Sequence, residues 1–262
     1  MPLTPFQREV ARILANHRSP DSHVGGGAAI NRGEHGVRIS DDIDIFHDLA
    51  ASVAASAEAD AKALREAGFS VEWMLRAEAM FRAEAARGAD RVRLDWTTDS
   101  AFRFFPALPD EDFGYCLHPA DLATNKVLAL AGRSEVRDFL DILLIDRAYL
   151  SLGAVIWAAC GKDAGYTPAL LLDQTNRHSR YQEGDLKGEH LVRPVDLREL
   201  KRQWLEARAR AERLCEQLPA EELGCLYLDP DNRPVTPDPA GPDFAKWTRH
   251  FGSVRGAWPT IT

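Results

Sequence analysis

The chain of 262 residues is 45% hydrophobic and 27% charged, with a formal net charge of −8. This composition suits a soluble globular protein with one large core or two small ones. The acidity argues against a surface coated for non-specific nucleic-acid binding, while a local basic groove stays compatible with it. No apolar run has bilayer length, charges fill MPLTPFQREVARILANH, and the four cysteines are scattered without a C-x-x-C pair; we therefore expect no membrane span, no export signal, reduced thiols and a cytoplasmic location.

Along the chain, FQREVARILA (6–15) reads as an amphipathic helix with Phe6, Val10, Ile13 and Leu14 on one stripe. A turn (SPDS) and a glycine segment follow, with a short helix expected over 28–31 and a strand over 38–46. The alanine-rich stretch 50–67 reads as a helix stopped by Gly68. Segments 69–75 and 79–85 read as strands or a hairpin, and RVRLDW (91–96) alternates cleanly as a strand. Residues 106–119 look loop-like. From His118 onward the pattern is mostly helical: one helix opening at 118–121, then helices at 136–150, 153–160, 168–176 and 195–218. Residues 229–243, rich in proline and aspartate, are expected to be a loop or tail. The fold class expected is α+β, a small mixed β-sheet flanked by helices and followed by a mostly helical C-terminal part, divided as 1–150 and 151–262.

The chemistry is concentrated in VGGGAAINRGEHGVRISDDIDIF, residues 24–46. In a strand, residues two apart share a face, so Asp42 and Asp44 project together while Ile43 and Ile45 turn to the core. Like charges this close repel unless a cation neutralises them. Mg²⁺ favours carboxylates combined with phosphate oxygens and water, so the pair suggests one or two Mg²⁺ ions bound with a triphosphate. In RVRLDW, Val92, Leu94 and Trp96 face the core and Asp95 the polar side, within reach of the same metals if the two strands pair. Gly25, Gly26 and Gly27 let backbone N–H groups approach phosphate oxygens. The segment lacks G-K-[ST] and the third small residue of the dinucleotide fingerprint, so it is neither of those loops. The plainer alternative is a glycine turn before an edge strand with solvated aspartates.

A glycine pair, then D-x-D on a strand, then a distant Asp on a second strand resembles the DNA polymerase β-like nucleotidyltransferase superfamily. GGGAAI…RISDDIDIF and DLATNKVLALAGRSEVRDFLDILLI resemble, more narrowly, the two signature blocks of the AbiEii/AbiGii toxin-type nucleotidyltransferase family. The resemblance implies a nucleotidyltransferase core in 1–150, with 151–262 serving acceptor or partner binding. It implies that Gly25 and Gly26 cradle a nucleoside triphosphate, with Ser40 donating a hydroxyl and Arg38 offsetting charge. Asp42 and Asp44 would hold Mg²⁺. Asp95 would be the third acidic ligand and the base for the incoming hydroxyl. Lys126 would contact the nucleotide phosphates, Asp141 or its neighbour Asp138 would be the acid of the last motif, and Arg137 would serve a substrate phosphate or a carboxylate. One departure stands out: family members carry Thr or Ser where this chain has Gly27, which leaves the phosphate grip weaker or passes it to Ser40. The implied reaction moves a nucleoside monophosphate to an acceptor hydroxyl. A tRNA end is the acceptor implied, with the protein as a toxin held inactive by a cognate antitoxin. A small-molecule or protein hydroxyl as acceptor, and a non-catalytic nucleotide-binding protein, stay open as alternatives.

Other features carry less. Lys126 and Arg133 lie seven apart on one helix face, and Asp138 and Asp141 share a face on the next helix, so ion pairing between the two helices is an alternative for both pairs. No two of the eight histidines have metal-ligand spacing such as H-x-x-x-H. Segment 176–190 begins basic and is read as a solvated loop. The helix 195–218 interleaves Arg and Glu and is read as having a salt-laced exposed face.

Overall fold

The structure, a computed structural model, describes residues 3–176 and 180–259. The elements run in the order α1 (Pro5–Ala15), β1 (Ser22–Gly25), α2 (Gly26–Asn31), β2 (Arg38–Ile39), β3 (Asp42–His47), α3 (Ala50–Glu66), β4 (Ser70–Ala77), β5 (Met80–Arg87) and β6 (Asp90–Thr98). Next come β7 (Phe102–Arg103), β8 (Leu108–Asp110), β9 (Gly114–Cys116), α4 (Pro119–Gly132), α5 (Val136–Ala148), α6 (Leu152–Lys162) and α7 (Pro168–Thr175). The chain finishes with β10 (His190–Leu191), α8 (Leu197–Gln217), β11 (Cys225–Leu228), β12 (Pro234–Val235), β13 (Thr248–Phe251) and β14 (Ser253–Val254). The class is α+β, as the sequence predicts. Among the described residues no helix is long and apolar enough to cross a membrane.

Two compact units make up the chain, one of residues 1–101 and 106–118, the other of residues 102–105 and 119–262. The first is built on a seven-stranded mixed sheet in the order β4-β5-β6-β3-β1-β9-β8. β3 runs parallel to β6 and β1 parallel to β9, while the remaining neighbours are antiparallel. Thr4 and Gln7 form a reciprocal capping box that starts α1. Gly68, at φ +85°, receives the end of α3: its N–H reaches Arg65 O and the Phe69 N–H reaches Leu64 O, the two bonds of a Schellman stop. Phe6, Val10 and Leu14 of α1 and Val53, Ala57, Ala61 and Leu64 of α3 are buried with Ile43, Ile45, Leu94 and Trp96 of the sheet. Those helix positions recur at three- and four-residue spacing and the strand positions at two, as each element's period requires.

Three local expectations change. The strand expected over 38–46 breaks after Ile39, and Ser40 O, at the break, accepts from Gln7 Nε2 at 2.6 Å. The loop expected over 106–119 contains a short hairpin, in which Asp110 Oδ1 accepts from the Asp112 and Phe113 N–H groups before β9 begins at Gly114. The glycine segment is preceded by β1, a fully buried four-residue strand that carries no alternation for periodicity to find.

In the second unit α4, α5, α6, α7 and α8 pack around Phe139, Leu130, Ile156 and Trp204. The helices α4 and α5, grouped with residues 1–150 in the sequence reading, have their contacts in this unit. The salt-laced face of α8 is present, with Arg202 paired to both Glu199 and Glu206. The unit is less purely helical than expected: β11 pairs with β12 and β13 in a three-stranded antiparallel sheet that spans the proline-rich segment. β11 is buried at all four positions, so it too lacks alternation. Segment 102–105 is anchored here by backbone bonds: the carboxylate of Asp121 accepts from the Phe104 and Phe105 N–H groups at 2.9 and 3.0 Å. Segment 176–190, read as a loop, includes residues 177–179, which lie outside the described residues.

Candidate active site

The first unit brings the glycines and the three carboxylates together by strand register. Gly25 of β1 is the Cα partner of Asp44 on β3, Asp44 is the partner of Asp95 on β6, and Asp95 is the partner of Arg82 on β5. Side chains directly opposite each other in a sheet share a face, so this one row points a glycine, two carboxylates and a guanidinium the same way. Asp42 lies two residues from Asp44 and opposite Arg93. One oxygen from each of Asp42, Asp44 and Asp95 lies within 4.8 Å of the others. Asp42 and Asp95 are buried and Asp44 is half-buried; Asp41, outside the row, is exposed. Three hard oxygen donors at this spacing fit a divalent cation such as Mg²⁺, which takes oxygen ligands and keeps positions for water and phosphate.

Two arginines that the sequence reading passed over neutralise much of this charge. Arg82 grips Asp95 with both ends of its fork, Nε to Oδ1 at 2.6 Å and Nη2 to Oδ2 at 2.7 Å. Its guanidinium pKa is raised, first by that hydrogen bond, against partial burial, and then by the charges of Asp95, Asp42 and Asp44. Arg93 pairs with Asp42 Oδ2 and lies 3.8 Å from Asp95 Oδ2. The alternation of RVRLDW already places Arg93 on the face of Asp95. Arg82 could be found only through the β5–β6 register.

The glycines are dictated by crowding. Gly26 sits at φ +66°, and a Cβ there would land on Asp44 Oδ2. A Cβ on Gly25 would meet the Phe46 ring at 2.7 Å. A Cβ on Gly27 would land on Arg38 Nη2 and 2.9 Å from Ser40 Oγ. The departure at Gly27 therefore has a structural cause: the buried Arg38 side chain and the Ser40 hydroxyl fill the space a larger residue would take. Ser40 Oγ donates to Asp42 Oδ1 at 2.8 Å and fixes that carboxylate. The helix α2 begins at Gly26, two residues earlier than expected, with no side-chain cap at Gly25. Asn31, at its end, donates to Gly27 O at 3.1 Å and accepts from the Val37 N–H at 3.0 Å, which clamps the return into β2.

The second unit gathers Lys126, Asp138 and Asp141 into a buried ionic cluster and sets Arg137 beside Glu135. Lys126 Nζ on α4 lies 2.8 Å from Asp138 Oδ1 and 3.1 Å from Asp141 Oδ2, both on α5. Arg133 closes on Asp138 with Nε to Oδ2 at 2.7 Å and Nη2 to Oδ1 at 3.1 Å. Burial alone would raise the Asp138 pKa; Arg133 and Lys126 together reverse this and hold it below the usual carboxylate range. Arg137 Nε lies 3.9 Å from Glu135 Oε2. The four cysteines are free thiols, and burial pushes Cys116 and Cys160 up to about 11 and Cys215 and Cys225 up to about 12, so none is a ready nucleophile near neutral pH.

No family model matches the sequence, and no curated protein matches it. Solved structures do resemble it. MenT4, a nucleotidyltransferase toxin from Mycobacterium tuberculosis H37Rv, is 14% identical with a TM-score of 0.55, over 82% of this chain and 83% of that one. A protein from H. pylori described as a nucleotidyltransferase is likewise 14% identical with a TM-score of 0.55, over 82% of this chain and 96% of that one. JHP933 from Helicobacter pylori is 15% identical with a TM-score of 0.50, over 81% and 92%. At these identities the likeness establishes the fold: the chain shares the architecture of these three structures over most of its length.

Proposed function

We propose that the protein is a nucleotidyltransferase that moves a nucleoside monophosphate from a nucleoside triphosphate to an acceptor hydroxyl and releases pyrophosphate. The observation that carries this reading is the register row Gly25–Asp44–Asp95, which with Asp42, two residues along β3, sets one oxygen from each of three carboxylates within 4.8 Å of the others beside a glycine bend. Asp42, Asp44 and Asp95 would hold one or two Mg²⁺ ions, which when bound supply charge neutralisation for a polyphosphate. Gly25 and Gly26 are our choice to turn backbone N–H groups toward phosphate oxygens, although the space left by their missing Cβ atoms is taken by the Phe46 ring and the Asp44 carboxylate. Ser40 keeps Asp42 oriented, and Arg82 does the same for Asp95. Asp95 is our choice to accept the proton as the acceptor oxygen bonds to the α-phosphorus and the bond to the pyrophosphate oxygen breaks. On the sequence resemblance alone, Lys126 and Arg137 are further candidates for phosphate contact; within the second unit Lys126 pairs with Asp138 and Asp141, and Arg137 lies beside Glu135.

The similarity of the fold to a nucleotidyltransferase toxin supports the finer reading that the protein is a toxin; that it is of the AbiEii type, acts in the cytoplasm on a tRNA end and is restrained by a cognate antitoxin rests on the sequence alone. Incubation with each labelled nucleoside triphosphate, Mg²⁺ and total RNA tests both levels. Label on RNA supports the full reading, and label on protein or a small molecule keeps the chemistry while changing the acceptor. Asp42→Ala and Asp44→Ala are expected to abolish transfer with the fold intact by circular dichroism; wild-type activity in either variant would refute the site.

A further inference from the structure

The carboxylate triad carries a formal charge of −3, and Arg82 and Arg93 pair directly with its members. The two arginines hold it differently. Arg82 makes a complete fork-to-fork pair with Asp95 alone, from β5. Arg93 spans two members of the triad: it pairs with Asp42 Oδ2, the oxygen that Ser40 does not use, and its Nε sits 3.8 Å from Asp95 Oδ2. That Nε is buried and makes no hydrogen bond, so the grip is incomplete. The Arg93 side chain is 32% exposed and that of Arg82 33%, so exposure does not separate the two; the incomplete grip on its carboxylates is what singles out Arg93. The buried ion pair of Arg18 with Asp60 looks unlike this. Arg18 and Asp60 have fully buried side chains, and the Asp60 carboxylate also accepts from Trp96 Nε1.

We infer that Arg93 is a displaceable counter-cation: it occupies the place between Asp42 and Asp95 that a divalent cation would take, and cation entry hands its guanidinium to the polyphosphate of the substrate. The inference rests on the metal-and-nucleotide reading of the triad. Electrostatics gives it direction. A bare divalent cation must compete with a guanidinium already holding two of its ligands, so it binds weakly. A cation arriving with a polyphosphate offers the displaced guanidinium a bidentate partner of its own, the geometry arginine favours. Arg93 would thus make metal capture depend on the phosphate chain, and would discriminate against cations arriving without one. Arg82 stays in place and keeps Asp95 aimed.

The test titrates the full-length chain, stripped with EDTA and dialysed, with Mn²⁺ alone, reading free Mn²⁺ by electron paramagnetic resonance. Arg93→Gln is expected to bind Mn²⁺ about tenfold more tightly than wild type, because a unit charge close to the ion has been removed. Arg93→Lys should stay near wild type. Calorimetry with the preformed Mg²⁺–tripolyphosphate complex should give the opposite order, Arg93→Gln binding about tenfold more weakly. A merely supporting role would move both affinities the same way. Unchanged or weaker Mn²⁺ binding in Arg93→Gln, with Asp44→Asn still abolishing it, overturns the inference and leaves the metal site standing. Unchanged binding of the tripolyphosphate complex overturns the hand-over. Wild-type Mn²⁺ binding in Asp44→Asn removes the metal reading and the inference together. If Arg93→Gln is unfolded in EDTA, Mn²⁺ alone must refold it by circular dichroism; failure to do so also overturns the inference.

Discussion

At Gly26 a left-handed backbone and the carboxylate of Asp44 exclude any side chain independently. Gly26→Ala should therefore cost about 1–3 kcal/mol of stability in urea unfolding and, by pushing Asp44 out of the triad, should abolish Mn²⁺ binding. Gly27 has no such strain and is limited by space alone, so its substitution should be rescuable. Gly27→Ser in the wild-type background displaces Arg38 and destabilises the protein. In an Arg38→Ala background the same change should cost less, a coupling that a double-mutant cycle measures. Restoring the hydroxyl seen in the resembling family is thus expected to harm this chain, because its neighbours have taken that room. A third residue sets a pH response. Burial, with the nearby Arg18 charge adding to it, lowers the His47 pKa from 6.5 to about 4. An unfolded histidine takes up its proton near pH 6.5 and the folded one only near 4. The stabilisation is therefore complete above pH 6.5 and is lost as pH falls from 6.5 to about 4. The loss is about 2 kcal/mol by pH 5 and about 3 kcal/mol by pH 4. Urea melts at pH 7.5, 6 and 5 should show it, and His47→Gln should flatten the curve.

The strands that matter most were readable because they alternate. Ile43 and Ile45 on β3, and Leu94 and Trp96 on β6, all lie fully buried, and that period fixes the direction of Asp42, Asp44 and Asp95. Partner choice was not readable: nothing local says that Asp95 meets Asp44 across a parallel pair, or that Arg82 completes the row from the strand beyond. Short fully buried strands such as β1 and β11 are not legible because burial at all four positions leaves no alternation to read, and in β1 two of the buried residues, Ser22 and His23, are polar. Helix α3 shows the converse case. Its buried face runs Val53, Ala57, Asp60, Ala61 and Leu64, so an aspartate occupies a core position. It is kept there by Arg18 Nη2 at 2.6 Å, Trp96 Nε1 at 2.7 Å and His17 Nδ1 at 2.8 Å, which tie the end of α1 and the sheet to α3. Asp60→Ala leaves the buried Arg18 charge without that partner and should cost about 3–5 kcal/mol in thermal or urea unfolding. The double variant Arg18→Met with Asp60→Asn removes the stranded charge, retains an acceptor for Trp96, and should recover most of the loss. A single variant within 1 kcal/mol of wild type, roughly the worth of a surface pair, would show that the pair contributes little.

For the whole molecule, the sequence announces a change from mixed α/β to mostly helix, and α4 opens the change at Pro119. It does not announce that residues 102–105 belong with the later part. Phe104 and Phe105 are fully buried, yet FRFF reads equally well as the tail of the preceding sheet. What assigns them is hydrogen bonding that only the structure reveals. Asp121 accepts both of their N–H groups, Phe104 O faces His250 Nε2 at 2.8 Å and accepts from the Ala257 N–H, and β7 pairs with β14. Asp121 in turn pairs with the buried Lys162 at 2.8 Å. A fragment of residues 119–262 would thus lose two core aromatics, leave Asp121 with Lys162 but without its two backbone donors, and leave His250 without the Phe104 carbonyl, a buried polar loss of about 1–3 kcal/mol. Removing a buried Phe costs about 3–5 kcal/mol, which two such losses bring to the size of a whole domain's stability. Expressed side by side, residues 102–262 should give a cooperative melt, whereas residues 119–262 should give none. If both melted alike, the two aromatics would be passengers and the boundary at Pro119 would be sufficient by itself.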